Sequence, residues 1–540
     1  MNGTKISNSL SRTESSQMRS QWRGNRFWRI LLVAVAFVCP YAAFGRDIAD
    51  RRAANEQMIH GDCVPTAKGR DYQVGPKAGQ LPSLELVPWE QLDAGDTVRI
   101  FFRPESYTGK IYLAARGHPN APVRVCGVKG PNGERPVIEG RDALTRRGLN
   151  YGHPLHESRS IILINRFKNQ EWKTFPSHLQ IDGLTIRGAH PSNQFTDAAG
   201  ERRRYSEFGA CIWVERGHFV SIADNEITDC AHAIFSKSTD DGDFALTKEI
   251  RIVGNNMHNN GLAGSDRVHT TYIQSVGVVY EFNRYGPLRS GAKGNSIKDR
   301  SVGTVIRYNR IEDGARALDL VEAEDFPQTA KANPAYRATY VYGNQIIKDG
   351  RKGSAIHYGG DHNGSSPGAH WGEPNNRKGI LYFYHNTVYL TGDGYGVLFQ
   401  LSTTEESAEV WNNVFAFAPT IPLPRMRAAT EVGTAWKTGG TLSLGRNWIN
   451  RNWRDTIARE PLSAPLRGIE NLVTGNTSPV DPSTLIPNKG VPVLDASPNQ
   501  PTEAAQHPVL YQLDARLRPT LRRNGAFGKT LGAIEQDTSR

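Results

Sequence analysis

Uninterrupted amphipathic helical patterns are scarce in this sequence of 540 residues, and only 38% of them are hydrophobic. That shortage argues against a helical protein, while 53 Gly and 31 Pro supply the turns of a β-rich one. Cysteine is sparse too, at five residues, and none falls in a zinc-binding spacing. No basic helix and no RNA-binding aromatic signature is present, so nucleic acid is not an expected partner. Long apolar runs are missing except for residues 30–45, where about a dozen apolar residues follow Arg19, Arg23, Arg26 and Arg29. Pro40 interrupts that run and it is short for a membrane span, so residues 1–45 read as an export signal with a basic lead. No stable membrane insertion is expected once it is removed, and the protein is expected in the periplasm, on the outer surface or outside the cell.

The signal region carries much of the formal charge of +11, so the remainder is only modestly basic. A polyanionic partner suits that balance without being specified by it. Four cysteines remain beyond residue 45, and proximity favours Cys63 with Cys126 and Cys211 with Cys230 among three possible pairings.

What the chain does have is a repeat. A short strand ending in Asn and then a hydrophobic residue recurs as IADNEI, IVGNNM, YEFNRY, IRYNRI, VYGNQI, FYHNTV, EVWNNV and SLGRNWI. These place Asn225, Asn255, Asn283, Asn309, Asn344, Asn386, Asn412 and Asn447 in equivalent slots, with Asp182 as a first member. The period is uneven, roughly 26–42 residues, as a solenoid tolerates when loops swell on one side. Asn accepts a left-handed backbone and can bond to the next coil, so stacked coils would form an Asn ladder.

Residues 293–325 (KGNSIKDRSVGTVIRYNRIEDGARALDLVEAED) concentrate ionisable groups. If Ile297 faces inward, period-two alternation puts Lys298 and Arg300 side by side on the outer face. Arg316, Asp319, Glu322, Glu324 and Asp325 follow within ten residues. The longest insertions follow Asn309 and Asn344, and the second holds His357, Tyr358, Asp361, His362, His370 and Trp371. Tyr358 and Trp371 are candidates to stack on sugars, and His357, His362, His370, Arg289 and Lys293 to bind them. His269 and Tyr272 lie about one coil before Lys298, His269 as a base or donor and Tyr272 as a substrate contact. Solvated outer positions and satisfied structural histidines are the bland alternative for each.

The repeats from about residue 81 to 450 resemble right-handed parallel β-helix proteins of the pectate-lyase-like class, as does the LGAIE ending at residues 531–535. The resemblance implies an all-β, right-handed parallel β-helix with long loops on one side. Residues 46–80 would lead into it, and residues 451–540 would pack along it or cap its end. That class carries lyases, hydrolases, epimerases and noncatalytic binders, and the cations Lys298, Arg300 and Arg316 favour action on an acidic polysaccharide by β-elimination. The strand lysine followed one coil later by an arginine is similar to chondroitinase B and β-helical alginate lyases. That likeness makes Lys298 the base and Arg316 the acid, with Arg300 and His269 beside them. Those enzymes place acidic calcium ligands just before the lysine, whereas residues 291–295 read GAKGN. Any Ca2+ would therefore draw on Asp319, Glu322, Glu324 and Asp325. Glycoside hydrolase, C5-epimerase and a noncatalytic adhesion β-helix are the alternatives, and a monomer is expected.

Overall fold

Alternating short apolar strands do coil in this chain. The computed structural model describes residues 61–149, 151–362, 373–428, 439–456, 462, 464–489, 501–522 and 530–535. Residues 1–45, expected to be an export signal, and residues 46–60 lie outside them. Three parallel sheets of thirteen, ten and eleven strands carry the architecture, and successive coils place one strand in each. One coil, for example, runs through Val302–Arg307, Arg310–Glu312 and Leu318–Leu320. The chain is a right-handed parallel β-helix.

The ladder begins at Asp71–Val74, ahead of residue 81, and its last rungs are Leu466–Arg467 and Leu472–Gly475. Inward residues such as Ile306, Ile311, Leu318, Val341, Ile346 and Ile356 are fully buried in one continuous core. Each such side chain contributes about 1.5–3 kcal/mol. Cys63–Cys126 and Cys211–Cys230 form the two disulfides, as proximity favoured. Among the described residues no helix is long and apolar enough to cross a membrane.

Asparagine holds the coils in register. Asn225, Asn255, Asn283, Asn309, Asn344, Asn386, Asn413 and Asn447 form a buried ladder. Each Nδ2 donates to the next Oδ1 at 2.9–3.1 Å, and that oxygen also accepts the preceding Asn's backbone N–H, as between Asn309 and Asn344. Three expectations are corrected here. The rung in EVWNNV is Asn413, not Asn412. From Asn225 to Asn413 the left-handed residue is the one before the rung, as at Phe282, Tyr308, His385 and Asn412 with φ between 49° and 57°. Asp182 is no rung either: it pairs with Ala223 and binds Arg124 at 2.8 Å, while Leu184 donates its N–H to Asn225 Oδ1.

Beyond the last coil the chain turns back along the helix. Tyr308 and Tyr384 hydroxyls donate to the Pro508 and His507 carbonyls, and Val509, Tyr511 and Leu513 cover an outer aromatic cluster.

Asn413→Ala should destabilise the protein by about 2–4 kcal/mol, since it strips partners from buried groups on both neighbouring coils. Asn412→Ala should cost about 1 kcal/mol, the strain of a left-handed residue. Denaturant unfolding compares them, and an equal or reversed order would contradict the register.

Candidate active site

The ten-stranded sheet aligns one outward row of side chains. Trp213, Phe235, Tyr272, Lys298, Asp319, His357 and Gln400 are register partners on consecutive strands. Alternation does the rest: Ile297 and Asp299 turn inward while Lys298 turns out, and Arg300 follows just past the strand. Loops on both sides enclose a cavity of about 680 Å³ over this row.

Lys298 lies on the cavity floor between two acids. Its Nζ donates to Asp319 Oδ2 at 2.7 Å and also to Asp361. Arg300 donates from Nη2 to Asp361 Oδ1 at 2.9 Å and from Nε to the Tyr272 hydroxyl at 2.8 Å. It also lies 3.1 Å from Glu322 and 3.3 Å from Glu324. Tyr272 in turn donates to Glu324 at 2.8 Å, and Gln274 to Asp325 at 2.8 Å.

Burial alone would push both floor acids up, but Lys298 with Arg316 outweighs it at Asp319, and Lys298 with Arg300 at Asp361. Both are held below the ordinary carboxylate range. Asp319 is further fixed by Asn295 Nδ2 at 2.8 Å and by His357 Nδ1 at 2.7 Å.

His357 Nε2 is 3.1 Å from Ser402 Oγ, which gives Asp319, His357 and Ser402 the order of a nucleophile–base–orienter set. Ser402 is fully buried, however, and its oxygen is tied to Gly360 N–H at 2.8 Å and Gly360 O at 2.7 Å. The set positions Asp319 and offers no accessible nucleophile.

His269 accepts the Asn295 backbone N–H at Nδ1, 3.0 Å away, which leaves its proton on Nε2. Burial and the charge of Lys298 keep the ring neutral. It faces the cavity as a donor.

His362 behaves in the opposite way. Burial opposes its charge, but the Glu322 hydrogen bond at 2.6 Å and the Asp361 charge prevail and raise it above the ordinary 6.5. Glu322, Asp361 and His362 bring ligand atoms within 4.8 Å of one another, a group that could hold a metal ion.

Not every expected residue reaches the cavity. Lys298, Arg300, His269, Tyr272 and Arg316 line it, as do Lys293, Asp319, Glu324, Asp325, His357 and His362. Glu322 lies behind it, fully buried. Tyr358 belongs to the core, since Ile356–Tyr358 continues as a strand that turns Tyr358 inward, so it is no stacking platform. Arg289 binds Asp229 at 3.1 Å and does not line the cavity. His370 and Trp371 lie outside the described residues.

Sequence reasoning missed Asn295, Gln400 and Ser402, neutral groups without a pattern. It also missed an inward ion pair beneath the floor, Asp299 with Arg377 at 2.8 Å, both fully buried.

No known sequence family matches this chain, and no curated protein matches it. Solved structures do. Pectate lyase Pel9A is similar at 10% identity and TM-score 0.41, over 87% of this chain and 97% of that one. The alginate lyase from Paenibacillus sp. str. FPU-7 is similar at 13% identity and TM-score 0.31, over 76% and 99%. The GH136 lacto-N-biosidase from Eubacterium ramulus is similar at 12% identity and TM-score 0.37, over 76% and 68%. Likeness at this level says nothing of the reaction.

His362 yields a signed pH dependence. Its folded value lies above 6.5, so its pairing stabilises the protein fully below 6.5 and is lost as pH rises through the folded value. His362→Asn should flatten the fall of Tm with rising pH across neutrality. An unchanged profile in thermal melts would contradict the assignment.

Proposed function

We propose that the protein is an exported enzyme that cleaves a uronate-containing polysaccharide by β-elimination. The observation that carries this is Lys298, held between two ionised acids on the floor of an open cavity with Arg316 beside it. Elimination needs a cation on the uronate carboxylate, a base for the C5 proton and an acid for the leaving oxygen. The Arg316 side chain, 28% exposed and 3.8 Å from Asp319, receives the carboxylate. Its guanidinium binds anions well and is a poor proton donor.

Lys298 is the counter-ion of Asp319 and shares Asp361 with Arg300, so it enters the reaction carrying a proton to give. In this reading it is the acid, not the base. His362, oriented through Nδ1 by Glu322, is the base. The step then balances: His362 takes the C5 proton, the electron pair forms the C4–C5 double bond, the C4–O4 bond breaks, and Lys298 protonates O4. Arg300 steadies Asp361 and Glu322, and neutral His269 donates Nε2–H to a sugar oxygen. The two disulfides accord with an oxidising compartment.

Calcium has no part in this reading, because the donor set does not suit it. Both Glu322 oxygens already accept hydrogen bonds, from the N–H groups of Asp361 and His362 and from the His362 ring. Lys298 sits against Asp319, Arg300 against Glu324 and Gln274 against Asp325, and among the described residues these acids do not gather with Glu322 into one ligand group. Hydrolysis by the floor acids is disfavoured as well, since a general acid needs a raised pKa and Asp319 and Asp361 are both lowered.

Purified protein incubated with acidic glycans should produce the ultraviolet absorbance of an unsaturated uronate. His362→Ala and Lys298→Gln should each lower the rate by about 10²-fold or more, with folding checked by circular dichroism. A chelator should leave both rate and Tm unchanged. Cleavage without the chromophore would overturn elimination in favour of hydrolysis, and C5 inversion without cleavage in favour of epimerisation.

A further inference from the structure

The outward row of side chains continues past the cavity at one end. Beyond Trp213 its register partners are Leu163 and then Tyr112, both fully buried, and neither lines the cavity. Tyr151 and Phe167 pack on the Tyr112 ring at 4.7 and 4.4 Å between ring centres, and the short helix Pro154–Ser158 packs against the Leu163 strand, Ser160–Ile164. From this covering segment Leu155 and Arg159 reach the cavity. Arg159 lies over the Trp213 ring at 4.7 Å, and both are held by Glu215, 3.5 Å from Arg159 and 2.7 Å from Trp213 Nε1. At the other end the row runs on from Gln400 to its register partner Ala428, and both are half-buried. The cavity is closed at Trp213.

Lys298, Tyr272, Phe235 and Trp213 stand on successive coils. Three coil steps of about 4.8 Å make about 14 Å, room for two or three sugar rings between the reacting groups and the closed end.

The reacting groups also give the polymer a direction. Arg316, which receives the carboxylate, extends toward the C-terminal coils, its Nη2 3.3 Å from Gln400 Oε1. Lys298, which protonates O4, stands one coil to the N-terminal side of Asp319. The carboxylate of the bound uronate therefore lies on the C-terminal side and O4 on the N-terminal side. The sugar joined through O4 is the neighbour toward the nonreducing end, and it enters the closed half.

We infer that the protein is exolytic: the nonreducing end of the polymer reaches as far as Trp213, and each cut releases a fragment of two or three sugars. O4, protonated by Lys298, leaves with that fragment as its new reducing-end hydroxyl. The C4–C5 double bond stays on the polymer, whose shortened end enters for the next cut. The direction of the chain rests on the elimination reading, whereas the closed end is independent of it.

The probe is a 1,4-linked octauronate in three forms: free, with a bulky dye on its nonreducing end, and with the same dye on its reducing end. Calorimetry on the His362→Ala protein should find binding weakened at least about tenfold by the first dye and unchanged by the second. With the unaltered protein and a long polyuronate, mass spectrometry should find one short product size from the earliest times. Leu155→Trp, which adds bulk to an exposed side chain at the closed end, should shorten that product by about one sugar. Equal binding of the two dyed probes, binding of none, or loss on the reducing-end dye alone would overturn the inference. So would mixed product lengths at early times, or a product unmoved in the folded Leu155→Trp variant. Mixed lengths that carry the unsaturated chromophore would leave elimination standing, and a single short size without it would uphold the inference while removing elimination.

Discussion

In a stack of parallel strands, which side chains meet is decided by register, because a slip of one residue turns every side chain to the other face. The buried asparagines from Asn225 to Asn447 hold that register. Each amide is bonded forward to the next coil and back to the one before, as Asn344 is to Asn386 and to the Ile306 carbonyl. A coil that slipped would leave buried amides without partners, so the ladder makes misregistered stacks costly. The outward row from Trp213 to Gln400 is the result.

That row explains how so many charges tolerate burial. Lys298, Arg300, Asp319 and Glu322 are each at most 5% exposed, and isolated they would be strongly destabilising. They persist because every acid faces a cation or donor on a neighbouring coil or on the loop carrying Asp361 and His362. Asp299 and Arg377 repeat the pattern beneath the floor, where Arg377 also reaches the Val321 carbonyl and ties three coils together. The same compensation lowers Asp319 and Asp361, raises His362, and leaves Arg316 facing the open cavity.

The fold was legible because a solenoid repeats its turn even when its loops vary. The slot was misassigned at Asp182, two residues early, and where two asparagines adjoin at Asn412 and Asn413, since sequence spacing cannot say which one turns inward. Lys298, Arg300 and Asp319 were legible through charge density and alternation. Tyr358 was not, because the insertion was read as starting at His357 while the strand runs through Tyr358. Asp299 was hidden by its own alternation: an inward acid looks wrong for a core position until Arg377, far along the chain, supplies its partner. Asn295 and Ser402 act only through neighbours that the fold brings to them.

The central claim is that the floor acids are neutralised by side-chain cations acting as a unit. A double-mutant cycle on unfolding free energy, with Lys298→Met, Asp361→Asn and the pair, measures that coupling directly. The account expects a coupling of about 2 kcal/mol or more, because either single change already breaks the buried Lys298–Asp361 pair, which the double change cannot break again. Additivity to within about 0.5 kcal/mol would show that Lys298 and Asp361 do not depend on each other, and would contradict the account.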